Sequence, residues 1–144
     1  MQNNKVRIER IFDAPVKLVW QAWTEPELLM LWFGSDPNGT VQKAEVDLRV
    51  GGAYEINFKD SDLSEHACHG MFIEIVEKSK LVFSWEWKSE PGHISQVEVN
   101  LFPFGEKTKM IFEHRNLNPE SIHNYEIGWA GGFNKFDKAL KTKP

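Results

Sequence analysis

From Val41 to His114 the apolar side chains recur at every second position, run after run, and this alternation limits the chain to a largely antiparallel sheet with one wet face. Val41 to Leu48 makes one run. Gly51-Gly52 then turns the chain into another, where Tyr54, Ile56 and Phe58 share a face opposite Glu55 and Asn57. After the polar loop Lys59 to Glu65, a run from about His66 to Val76 sets Met71, Ile73 and Ile75 against Glu74. Lys80 to Trp87 sets Leu81, Phe83, Trp85 and Trp87 against Val82, Ser84 and Glu86. Ile94 to Phe102 and Thr108 to His114 close the series, with Val97, Val99 and Leu101 inward in the first and Met110, Phe112 and His114 in the second. Short polar turns join all of these runs, so they form a meander whose apolar face must be covered by something else.

Asn118 to Leu140 is the only stretch long enough to cover it. Ile122, Tyr125, Trp129, Phe133, Phe136 and Leu140 are spaced by three or four residues and form one helical stripe. Asn118 is placed to cap the helix, Pro119 and Glu120 suit its first turn, and Lys138, Lys141 and Lys143 gather at its other end. Gly128, Gly131 and Gly132 run against helix propensity, each at about 0.5 to 1 kcal/mol relative to alanine. Close packing of the helix on the sheet accounts for them; room for a ligand beside Trp129 is the sharper alternative. Ahead of the meander, Lys5 to Phe12 reads as a first strand and Asp13 as the cap of a helix over Pro15 to Thr24. A second short helix starts at Pro26, and a loop follows from Gly34 to Thr40. The expected architecture is α+β: a curved antiparallel sheet of about seven strands gripping a long C-terminal helix, with two short helices between the first and second strands.

The 144 residues make a single domain, 1–144, with a net charge of -4 and a pI near 5.7. With no basic run to meet phosphates, nucleic acid and anionic membrane surfaces are not expected partners. No apolar run approaches the ~18 residues of a membrane span, so stable membrane insertion is not expected either. The single Cys68, and the lack of a basic and then apolar leader after Met1, point to the cytoplasm.

FDAPVKLVWQAWTEPELLMLWF, DLRVGGAYEINF, GMFIEIVEKSKLVFSWEW, TKMIFEHRNL and GWAGGFNKFDKAL resemble, in order and spacing, the activator of heat-shock protein 90 ATPase homologue-like family. That family belongs to the START-like, Bet v 1-like (SRPBCC) superfamily of helix-grip proteins. The resemblance runs from Val6 to Leu140; its more specific parts are Asp47, Arg49, Gly51 and Gly52 in the strand turn and Gly128-Trp129 in the last helix. It implies a cavity between sheet and long helix, used in the superfamily for lipids, sterols, flavonoids and polyketides, with polyketide cyclases as an enzymatic minority. It also implies a chaperone contact, although the co-chaperone that names the family carries a separate domain ahead of this fold, and here the first strand begins near Lys5.

His66, Cys68 and His69 are the only cluster of soft metal ligands, and in an extended strand they point to opposite faces, so no metal site is expected. Asp60 and Asp62 lack the glycine and distal glutamate of a calcium loop and read as a solvated turn. Arg49 and Asp47 read as stitching the strand turn. No nucleophile, metalloprotease or nucleotide-cradle motif occurs, and neither a catalytic residue nor a cofactor is assigned. The residues expected to bind a ligand are Tyr54, Phe58, Met71, Trp85, Trp87, Met110, Phe112, Trp129 and Phe133 as walls, with the Tyr54 hydroxyl, His69 or His114 as polar anchors. His69 and His114 are also the acid/base candidates if the pocket is that of a cyclase or hydrolase, each set against the role of a hydrogen-bonded core histidine. If these side chains line a cavity, Trp129→Ala costs less than about 2 kcal/mol; if they fill a solid core it costs about 3 to 5 kcal/mol.

Overall fold

The alternating runs pair into one seven-stranded sheet in a computed structural model that describes residues 4–142. Strand β1 is Val6–Phe12, followed by helices α1 (Val16–Thr24) and α2 (Pro26–Trp32). The meander comprises β2 (Thr40–Val46), β3 (Ala53–Lys59), β4 (Glu65–Val76), β5 (Lys80–Trp87), β6 (Ser95–Phe104) and β7 (Lys107–Arg115). A single 3-10 turn, Pro119–Ser121, leads into α3, Ile122–Thr142. The strand order is β1-β7-β6-β5-β4-β3-β2 with every neighbour antiparallel, so the first strand closes the far edge beside the last one. The apolar stripe of α3 lies in the concave face: Trp129, Phe133, Phe136 and Leu140 are buried there. Lys143 lies outside the described residues.

Neither helix is capped as the sequence implies. The α1 cap is Pro15, whose carbonyl accepts the amides of Leu18 and Val19, and no side chain supplies a capping bond. Asp13 therefore sits two residues too early, because the fixed φ of Pro15 sets where the turn begins. At α3 the Asn118 carbonyl, not its side chain, accepts from Ser121 to form the 3-10 turn.

Strand β4 departs furthest from expectation. Met71 and Ile73 are about half exposed, at 52% and 47%, whereas Cys68 and Phe72 are buried at 0% and 4%. Gly70 pairs with Tyr54 on the inner face, where any Cβ would run into the Ser84 carbonyl and come within 2.8 Å of the Tyr54 ring. The Tyr54 ring occupies the space a side chain at 70 would need, and its hydroxyl donates to the Ser84 carbonyl at 2.6 Å. A bulge between Phe72 and Glu74 then resets the parity.

Aromatic packing makes up the core. Trp23 on α1 meets Trp32, Phe83, Phe112, Trp129, Phe133 and Phe136 with ring centroids 5.0 to 6.3 Å apart. The glycines of α3 have unequal reasons. A Cβ at Gly131 would sit 2.6 Å from the Ser35 carbonyl oxygen, which is backbone and cannot rotate away, whereas one at Gly128 would meet only the Ser35 Cβ at 3.7 Å. Gly131 thus lets the helix close on the 34–35 loop, not on the sheet. Gly131→Ala is expected to destabilise despite its better helix propensity, and Gly128→Ala to stabilise by about 0.5 to 1 kcal/mol. Urea midpoints that move in the same direction for both variants would contradict this assignment.

Candidate functional site

Beside the N-terminal half of α3 the packing opens into a cavity of about 290 Å³. The 3-10 turn contributes Ser121 and the helix Asn124, Tyr125, Gly128, Trp129 and Gly132, a spacing that puts one flank of the first turns of α3 on the cavity. Across from it stand Phe58 of β3, His66 of β4 and Trp85 and Trp87 of β5, while Trp32, Phe33, Gly34 and Ser35 close one end. Asp60 and Glu90, from the β3–β4 and β5–β6 turns, complete the polar rim. Seven aromatic side chains wall this space: Trp32, Phe33, Phe58, Trp85, Trp87, Tyr125 and Trp129.

Its polar groups are fixed by short bonds. The Trp87 ring N–H donates to the Tyr125 hydroxyl at 2.6 Å, leaving the hydroxyl's own proton to be donated. Burial raises the Tyr125 phenol above its ordinary value; Glu90 adds to the rise and the Trp87 bond opposes it. His66 Nε2 lies 3.0 Å from Asp60 Oδ2, so the carboxylate favours the tautomer protonated there and leaves Nδ1 as an acceptor. The buried Trp85 ring N–H is directed at the Tyr125 hydroxyl as well, without closing a well-formed bond to it. On the loop that follows Ser35, Asp36 Oδ2 accepts from both the amide and the hydroxyl of Ser61 at 2.7 Å, which holds its carboxyl down to about 2. Lys135 ties the same loop to α3 by donating to the carbonyls of Phe33 and Asp36 at 3.3 and 2.8 Å.

The sequence matches the family described as Activator of Hsp90 ATPase homolog 1-like protein over residues 13–141. The chain belongs to that family. The fold recurs in a Chromobacterium violaceum protein at TM-score 0.87 and 21% identity, covering 97% of this chain and 99% of that one. The AHSA1-like protein from Aeromonas hydrophila gives TM-score 0.80 at 20% identity, covering 95% and 92%. DynU16, from the dynemicin biosynthetic locus, gives TM-score 0.80 at 20% identity; 98% of this chain matches 48% of that longer one. At these identities the likeness shows the fold alone. No curated protein is matched. No helix among the described residues is long and apolar enough to cross a membrane.

Of the wall residues expected from the sequence, the Activator of Hsp90-like fold brings Phe58, Trp85, Trp87 and Trp129 to the cavity. Met110, Phe112 and Phe133, each 0% exposed, pack in the core and do not reach it. Tyr54 borders a separate gap of about 20 Å³, with its hydroxyl committed to Ser84. Met71 and His69, expected to face inward, occupy the outer parity of β4, where His69 Nε2 faces Glu86 Oε1 at 3.9 Å. The cause is Gly70, as above. The residues missed are Tyr125, His66, Asp60, Glu90, Asn124 and the 33–35 segment; the helical stripe already held Tyr125, whereas the turn residues carry no periodic signal.

His114 is the other correction among the anchors. It is fully buried outside the cavity lining, and the Trp129 ring N–H donates to its Nδ1 at 3.0 Å. An indole N–H can only donate, so the His114 proton sits on Nε2 and is donated to Ser95 Oγ at 2.7 Å; Ser95 in turn donates to the Trp85 carbonyl at 3.4 Å. Burial, helped by His93, lowers its pKa to about 3. An unfolded histidine titrates near about 6.5, so below that pH the unfolded chain takes up a proton that the folded chain refuses. Stability should therefore fall as pH drops from about 6.5 towards about 3. His114→Gln should remove this component, so that urea midpoints fall less between about pH 7.5 and 5 than in the parent. Equal slopes would show that the ring is not held neutral.

Proposed function

We propose that this protein binds a small aromatic molecule in the cavity beside α3 and does not chemically change it. The observation that carries the proposal is the seven-aromatic wall around about 290 Å³. That volume is at the lower edge of the roughly 300–1,000 Å³ of small-molecule sites, and it suits one or two fused rings better than a sterol or a long acyl chain. The test is a thermal-shift panel of neutral one- and two-ring aromatics, read beside Gly128→Leu, whose side chain would project into the cavity. A ligand at 100 times its Kd should stabilise the parent by about 2.7 kcal/mol and leave the variant unmoved. A flat panel, or equal shifts in both proteins, would remove the cavity from consideration.

The His66–Asp60 pair favours a second reading, an enzyme of cyclase or hydrolase type with His66 as base. It requires turnover that is lost in His66→Ala and Asp60→Asn while the aromatic ligand still binds.

A further inference from the structure

We infer that the cavity selects a cation: an aromatic molecule that carries a protonated amine. The inference rests on the small-molecule reading above and narrows it to a ligand class. The charged side chains among the described lining residues are Asp60 and Glu90, with His66 beside Asp60, and neither lysine nor arginine lines it. The basic group on α3 that comes near, Lys135, donates to the carbonyls of Phe33 and Asp36 at 3.3 and 2.8 Å, so its donors are committed to the loop while its charge reaches only one of the two carboxylates, Asp60. An anionic ligand would thus bring a third negative charge to a rim that already holds two carboxylates, whereas an ammonium group would meet both of them.

The walls point the same way. Indole and phenol faces carry negative potential, and a cation near their centroids gains from the ring quadrupole, most when water is excluded. Trp85 and Trp87 meet edge to face at 5.2 Å and stand opposite Tyr125 on α3, so an occupant is faced by aromatic rings from both sheet and helix.

A matched series separates charge from shape: tyramine, the neutral amide para-hydroxyphenylpropionamide and the carboxylate para-hydroxyphenylpropionate, titrated calorimetrically into the intact protein. Tyramine should bind about tenfold more tightly than the carboxylate, with the amide between them. Glu90→Gln, an exposed turn position whose change leaves the core untouched, should narrow the gap severalfold, and raised salt should narrow it further. Carboxylate binding equal to or tighter than tyramine overturns the inference, as does a gap that survives in both Glu90→Gln and Asp60→Asn. If none of the three binds while the neutral aromatic panel does, charge selection alone fails. If both sets are silent, the cavity reading falls with it.

Discussion

Trp129→Ala should lower stability by about 3 to 5 kcal/mol and abolish ligand binding together. The sequence poses core and cavity as alternatives for this residue, yet the indole serves both. One side borders the cavity; the rest packs against Trp23, Phe33, Trp85, Phe112 and Phe133, with centroids 4.6 to 6.1 Å away, and only 6% of the residue is exposed. Truncation removes that packing and strips His114 Nδ1 of its donor, leaving a buried acceptor unpaired, an added cost of about 1 to 3 kcal/mol that the packing figure partly includes. Trp129→Phe restores most of the contact but not the hydrogen bond, so it should fall between parent and alanine. A loss below about 2 kcal/mol for the alanine variant would mean that the cavity, not the core, dominates this position.

Trp23→Ala should be as damaging, again about 3 to 5 kcal/mol, because six aromatic rings converge on it and no neighbouring chain can relax into the void. The informative comparison is with phenylalanine. The Trp23 ring N–H is buried without a partner among the described residues, whereas the Trp32 N–H donates to the Ala22 carbonyl at 2.9 Å. Both rings are buried, at 4% and 1% exposure, so Trp→Phe removes similar area at each. Trp23→Phe sheds an unsatisfied donor, and Trp32→Phe orphans a carbonyl. Trp32→Phe should therefore cost about 1 to 3 kcal/mol more than Trp23→Phe in denaturant unfolding. Equal costs would show that the Trp23 N–H is not a liability.

The fold was legible because two periods dominate the chain, and the parities of β3, β5, β6 and β7 survive intact in the structure. Strand β4 was not, and the reason is physical. HACHGMFIEIV carries apolar residues on both parities, and the side chain that decides between them is the missing one at Gly70. A zero in the apolar tally cannot announce that another ring fills its place. The cavity was half legible for a related reason. Alternation tells which way Trp85 and Met110 point, but not how far the helix stands off the sheet at each level. That distance is set by Gly131 against Ser35 and by Trp32 against Phe136, contacts between segments remote in sequence. Tyr125 and His66 take their place at the opening from that spacing.

The relay from Trp129 through His114 and Ser95 to the Trp85 carbonyl joins helix to sheet by three hydrogen bonds, and its two ends belong to adjoining cavity walls whose rings pack with centroids 5.3 Å apart. The shape of the cavity at this corner is consequently a property of the empty protein, set before any guest arrives. Little ordering remains to be done on association, so affinity should follow how well a rigid guest matches the slot, and appending flexible tails should weaken it. Such a site would discriminate by shape as a gauge does, accepting or refusing without adjusting.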